Sequence, residues 1–370
     1  MIPVFEPEID DDDIAAVVAA LKRGEISGSF GQSIPAFESE FAAFAGCSHG
    51  VAVTSGTTAL HLAITALDLP PGSEVLVSAS TNIATALACF HNGCVPVSVD
   101  SENLTWNLDL DLIESLITPK TKAIIPVHLF GHPVAMDRLM EIANRHHLTV
   151  IEDCAESHGA TWQGRVTGSF GHMSCFSFYA NKIITTGEGG MVTTNDPALA
   201  EKLRLLRNLA FGKPRFLHQI AGYQFRMTGM QAALGRAQFR KIDRFIEQKR
   251  DMAQKYNRHL ADIAGLRTPP ELPGARNVYW MYAVTVDAAF GMTRDALAQY
   301  LFAHGVETRT FFCPMNMQPF LRRQTGFREI PCPVAERLWE TGFYLPSACR
   351  LTEATIASIA ELVRQAPLAA

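Results

Sequence analysis

The sequence predicts an α/β fold with a largely parallel sheet and a smaller second domain. Between about Phe37 and Asn195, short apolar runs alternate with helix-period segments. Clusters of Ser, Thr, Gly and acidic residues follow the carboxyl ends of those runs, where open α/β sheets place their functional loops. A long charged, helix-favouring stretch and a Pro-rich segment then separate this region from a second set of strand and helix patterns.

In chain order, "GVAVT" at 50–54 reads as a strand and "ALHLAITAL" at 59–67 as the helix after it. "EVLVS", "VPVSV" and "KAIIPVH" read as further buried strands. "LMEIANRH" is helical, and "LTVIED", "MSCFSF" and "GGMVTT" complete the strand set. The segment 230–260 reads as a long helix that links or spans two domains, and "RTPPELPGARN" at 267–277 marks a boundary. "VYWMYAVTV", "RDALAQYLFAHGV" and "EATIASIAELVRQ" then suggest a smaller C-terminal α/β domain. The expected division is 1–245 and 246–370. No internal repeat or low-complexity tract interrupts the pattern.

Composition narrows the function. Of 370 residues, 48% are hydrophobic and 19% charged, with a formal net charge of −5, which argues against an electrostatic nucleic-acid binder. No run is long and apolar enough for a membrane span, and the acidic N-terminus lacks a signal-peptide pattern, so a cytoplasmic protein is expected. The eight cysteines are scattered without a C-x-x-C pair and read as reduced, mostly buried thiols. "HLFGH" at 128–132 imitates the spacing of a helical metal pair. Gly131 and the preceding strand-like "AIIPV" favour a loop, so no metal is expected.

Three motifs carry chemistry. In "VAVTSGTTALHLAITAL" a strand runs through Ser55, Gly56, Thr57 and Thr58 into a helix. Free amides, hydroxyls and the positive end of the helix dipole suit a phosphate there, although an ordinary helix cap looks the same. In "LTVIEDCAESHGA", Glu152 and Asp153 end a strand buried on both faces. A carboxylate emerging there can bond a ring N–H and keep it protonated, or simply cap the next helix. In "FSFYANKIITTGEGG", Ser177 can add a phosphate ligand. Lys182 sits among apolar residues, where an amine is costly unless paired, deprotonated or covalently used. Together these are the three handles of pyridoxal 5'-phosphate: phosphate, ring nitrogen and aldehyde. Lys182 would form the Schiff base and later move protons.

The quoted motifs, with "GSFGHMSCFSFYANKIITTGEGGMVTTND" and "GYQFRMTGMQAALG", resemble the DegT/DnrJ/EryC1/StrS family of sugar aminotransferases, fold type I pyridoxal-phosphate enzymes, along nearly the whole chain. "TWNLD", "HLFGHPVAMD" and "NKIITTGEGG" look most like the perosamine synthases of that family, which aminate C4 of GDP-4-keto-6-deoxymannose. The resemblance implies a large domain with a mostly parallel seven-stranded sheet. It also implies a cofactor that alternates between pyridoxal and pyridoxamine phosphate, a glutamate amino donor, a nucleotide-sugar acceptor and a cytoplasmic homodimer with active sites at its interface. By the same resemblance Gly56, Thr57 and Ser177 hold the phosphate, Asp153 the pyridine nitrogen and Lys182 the aldehyde. Glu156 lies near O3', Asn82 and Gln224 stand at cofactor-binding positions, and His158, Arg309 and Asn316 at substrate-facing ones. Asn82 replaces an aromatic that stacks on the ring, Gln224 replaces Asn in the interface loop, and Asn316 replaces a common His. Two other readings stay open: a pyridoxamine-dependent sugar 3-dehydratase, whose relatives carry His in place of this Lys, and a non-catalytic regulatory member.

Overall fold

The computed structural model describes residues 1–368. Its larger sheet has seven strands: β1 His49–Val53, β2 Glu74–Ser78, β3 Val95–Val99, β4 Thr121–Ile125, β5 Thr149–Asp153, β6 Met173–Ser177 and β7 Gly190–Thr194. Their spatial order is β1-β7-β6-β5-β4-β2-β3, with β7 antiparallel to both its neighbours and every other pairing parallel. Buried Val, Leu and Ile on both faces of the central strands explain their near-continuous apolar runs.

Register puts the chemistry on one edge of this sheet. Asp153, the last residue of β5, stands beside Cys175 of β6, while Ser177 and Val53 both pair with Gly190 at the start of β7. The carboxyl ends of β1, β5 and β6 therefore open on the same side. The helix Gly56–Ala66 begins there, its Ser55 cap sharing a reciprocal pair of hydrogen bonds with Thr58.

The second sheet is antiparallel. Leu266–Arg267, Tyr282–Val286, Gly342–Leu345 and Arg309–Thr310 lie in that order, packed beneath the helix Glu353–Gln365. The helix-favouring segment over 230–260 forms two helices, Gly229–Phe239 and Ile242–Leu260, broken at Arg240–Lys241. The second spans both cores: Ile242, Phe245 and Ile246 pack with Phe37 and Phe41, whereas Met252, Tyr256 and Leu260 pack with Tyr282 and Ile356. Residues near the N-terminus join the second sheet's neighbourhood, with Ile2 bridging Val306 and Val4 O accepting from Ser347 N.

All eight cysteines are free thiols, six of them buried. Among the described residues no helix is long and apolar enough to cross a membrane.

Candidate active site

A cavity of about 400 Å³ opens at the carboxyl edge of the large sheet; the second sheet contributes Arg309 and Tyr344 to its wall, and the segments flanking its strands contribute Trp280 and Phe312. At one end lies the start of the helix Gly56–Ala66. The amides of Gly56 and Thr57 belong to a first turn with no intrahelical acceptors. A side chain at Gly56 would bring its Cβ within 2.7 Å of Ser177 Cβ, and one at Gly190 within 2.3 Å of Ser55 O. Two glycines thus let the helix start, Ser177 and β7 converge into an anion-sized cradle.

Asp153 leaves β5 almost wholly buried. Thr85 Oγ1 donates to its Oδ2 at 2.8 Å and Ala155 N to its Oδ1 at 3.2 Å, so each oxygen keeps an unused lone pair. Burial raises its pKa, against the hydrogen bonds from Thr85 and Ala155 and the charge of Lys182. Strand alternation sends the neighbouring Glu152 to the opposite face. There it accepts from the amides of Gly168, Phe170 and Gly171 and from Ser174 Oγ. His128, Glu152 and Cys154 bring potential ligand atoms within 4.8 Å of one another. Val134 N donates to His128 Nδ1, which puts the ring proton on Nε2, 3.2 Å from Glu152 Oε2. His128 and Glu152 are thus engaged with each other and with backbone amides.

Lys182 sits in the turn after β6, fixed by Lys182 N donating to Tyr179 O and Thr186 N to Phe178 O. No carboxylate oxygen comes within ion-pair distance of its amine among the described residues; the nearest partner is the Trp280 indole, 3.8 Å from Nζ to the ring centroid. Burial lowers the Lys182 pKa, while Glu156 and Asp153 pull it back up. Glu156 is buried and accepts from Phe130 N at 2.8 Å. Burial pushes its carboxyl up to about 7, against Lys182 and the Phe130 amide. The donor, Phe130, is a non-glycine residue in the left-handed region at φ 52°, so the "HLFGH" turn supplies a backbone donor to this wall.

Of the residues singled out from the sequence, Gly56, Thr57, Asn82, Asp153, Glu156, Ser177, Lys182 and Arg309 line the cavity. Three do not. His158 is fully buried against Phe41, Phe176 and Phe178, its pKa depressed to about 3 by burial and then by Lys182. Aromatic packing beneath the cavity keeps it from reaching a substrate. Gln224 is exposed, its Oε1 accepting from Arg226 N. Asn316 is buried and donates to Glu336 Oε1 at 2.7 Å, which turns its amide away from the cavity. Sequence reasoning missed Thr85 and Trp280. Thr81 and Thr85, four residues apart with hydroxyls 3.1 Å from each other, left a weak helical-face signal; Trp280 left none.

The family model for DegT/DnrJ/EryC1/StrS aminotransferases matches residues 7–364. The chain belongs to this family. It is 42% identical to the GDP-perosamine synthase of Caulobacter vibrioides over 96% of this chain and 95% of that one. It is 40% identical to a UDP-N-acetyl-3-dehydro-alpha-D-glucosamine 3-aminotransferase of Acidithiobacillus ferrooxidans over 89% of this chain and 87% of that one. The crystal structure of the aminotransferase TlmJ from Streptoalloteichus hindustanus superposes with a TM-score of 0.93 at 30% identity, covering 100% of this chain and 99% of that one.

As a DegT/DnrJ/EryC1/StrS enzyme, the chain is a pyridoxal-phosphate-dependent aminotransferase. Its own residues fit that cofactor: an anion cradle that a Cβ at Gly56 would fill, a buried carboxylate with free lone pairs, and an amine without an ion pair, all on one cavity.

Proposed function

We propose that the protein transfers an amino group from glutamate to C4 of a GDP-linked 4-keto-6-deoxyhexose, as a perosamine synthase does. The observation that carries the reading is a single one: an unpaired Lys182 amine and a buried Asp153 share a cavity closed at one end by the Gly56–Ser177 cradle. Gly56 and Thr57 amides and the Ser177 hydroxyl would bind the phosphate, Asp153 would partner the ring nitrogen and Glu156 the ring hydroxyl. When bound, the cofactor supplies an aldehyde for amino exchange and an electron sink for the carbon that loses its proton. Lys182 would hold that aldehyde and, once released, would take up and return the donor's proton as general base and acid. Asp153 keeps the ring nitrogen protonated. Arg309, exposed on the cavity rim with only a 3.4 Å contact to Glu307, suits the acceptor's diphosphate or the donor's carboxylate.

A homodimer is part of the proposal. The loop before Gln224 exposes Phe216, Leu217 and Ile220, an apolar set that a second subunit would cover, bringing Gln224 toward the partner's phosphate cradle. A cytoplasmic location and the division of the chain near 245/246 belong to the same reading.

The deciding assay offers GDP-, UDP- and dTDP-linked 3-keto and 4-keto sugars with glutamate and reads product mass and the position of the new amine by NMR. A GDP-linked 4-amino product is expected. The Acidithiobacillus relative favours a second reading, amination at C3 of a UDP-sugar, and a UDP-linked 3-amino product would establish that instead. No product from any acceptor, with no cofactor conversion by glutamate, would remove both.

Glu156 supplies a further prediction. Its carboxyl titrates near 7, so ionisation as pH rises through that value adds an anion beside Lys182. Glu156→Gln keeps an acceptor for Phe130 N but cannot ionise. Turnover should fall about tenfold, the worth of one strong hydrogen bond, and the inflection near pH 7 should vanish from the pH–rate profile. A variant that retains this inflection places the titration on another group.

A further inference from the structure

The cofactor chemistry engages Lys182 for only part of each turnover, and the structure holds a second station for its amine. The Trp280 ring lies 3.8 Å from Nζ, closer than any carboxylate oxygen. The indole is clamped from several sides. Its Nε1 donates at 2.7 Å to the carbonyl of Asn181, the residue just before Lys182. The Trp280 backbone carbonyl accepts at 2.9 Å from Lys249 Nζ, a buried amine that also donates to Ser347 O. The Phe130 ring stacks near-parallel at 6.4 Å, and Gly131 packs so closely that a Cβ there would stand 2.9 Å from Trp280 N. A rigid aromatic face thus meets a flexible four-carbon stem.

We propose that Trp280 is a positioning residue that docks the Lys182 ammonium on its indole face whenever the lysine is not engaged with the cofactor, keeping the amine aimed into the cavity. The proposal rests on the reading of Lys182 as the cofactor-bonding amine. A π-face favours the charged amine, so it works with the carboxylates and against burial. The charged and titratable groups around Lys182 are Asp153 at the end of β5, Glu156 and His158 just after it, Tyr179 in the lysine's own turn, and Glu188, Arg309 and Tyr344 elsewhere on the cavity. Glu6, Glu8 and Lys249 face a small second cavity behind it. Among the described residues no carboxylate of this set comes within ion-pair distance of the amine, so none makes the ring redundant.

Competitive labelling of the cofactor-free full chain with acetic anhydride, read by peptide mass spectrometry across pH, reports the Lys182 titration midpoint without needing turnover. Trp280→Leu removes ring and indole N–H and should lower the midpoint by about 0.5 to 1 unit, roughly 3- to 10-fold in the ammonium-to-amine ratio. Trp280→Phe removes the bond to Asn181 O but keeps a ring, and should retain most of the wild-type midpoint. Equal shifts in both variants would assign the effect to the Asn181 bond, and no shift in either would remove any coupling; both overturn the proposal. Should Trp280→Leu not fold, mono- to trifluorinated tryptophans incorporated into the full chain grade the π-face at nearly constant shape. The midpoint should fall with each fluorine, and a flat series overturns the docking role. The glutamate assay tests the transaminase reading separately, so either can fail alone.

Discussion

Lys182→Ala is expected to lower amino transfer by roughly 10⁴-fold or more, because under the proposed function this one side chain would both hold the cofactor's aldehyde and carry the proton. No neighbour can take its place. Lys249, the other buried amine nearby, is committed to the carbonyls of Trp280 and Ser347. The fold should survive the change. The Lys182 side chain makes no ion pair among the described residues, and burial alone disfavours its charge. Losing the ring contact costs about 0.5–2 kcal/mol, and removing a desolvated amine offsets part of that. A melting temperature near wild type, a cofactor absorbance band no longer typical of a lysine-bonded aldehyde, and no conversion of the cofactor by glutamate are the expected results. Sustained glutamate turnover in this variant would show that some other group carries the proton.

What was legible in the sequence follows from how local each signal is. The seven large-sheet strands are visible because both faces are buried, which leaves near-continuous apolar runs such as "VPVSV" and "MSCFSF". Gly56, Asp153, Ser177 and Lys182 are legible because each ends a strand or opens a helix within a few residues of its own motif. Thr85 reaches Asp153 across 68 positions, and Trp280 reaches Asn181 across 99, distances over which only the folded chain makes neighbours. The break at Arg240–Lys241 was invisible for a different reason: no Gly or Pro marks it, and charged residues continue on both sides. Asn316 shows the limit of reading a segment as a unit, since Arg309 and Phe312 reach the cavity wall while its own amide turns to Glu336.

Asp153→Asn separates chemistry from packing more sharply than the lysine change. The amide is nearly isosteric and can still accept from Thr85, but one oxygen becomes an NH₂ group, which must then face either the Thr85 hydroxyl or the Ala155 amide. A neutral amide also cannot hold a ring nitrogen in its protonated form, so the carbon that loses its proton is left without its electron sink. The expected fall in turnover is about 10²- to 10³-fold, the scale of removing one preorganised electrostatic partner. Stability should move the other way. The folded carboxyl has a pKa raised by burial above its unfolded value, so the native state binds the proton more tightly. Its contribution to stability is present below the unfolded pKa and is lost as pH rises through the folded one. Above the folded pKa the cofactor-free wild type therefore carries a buried charge that Asn lacks, and there the variant should unfold at an equal or higher urea concentration. Adding pyridoxal phosphate should narrow or reverse that difference, because only the wild type gains a cationic partner for its carboxylate. Near-normal turnover in Asp153→Asn, or identical stabilisation of both proteins by the cofactor, would show that the ring nitrogen is held elsewhere and that the end of β5 serves only to cap the chain that follows it.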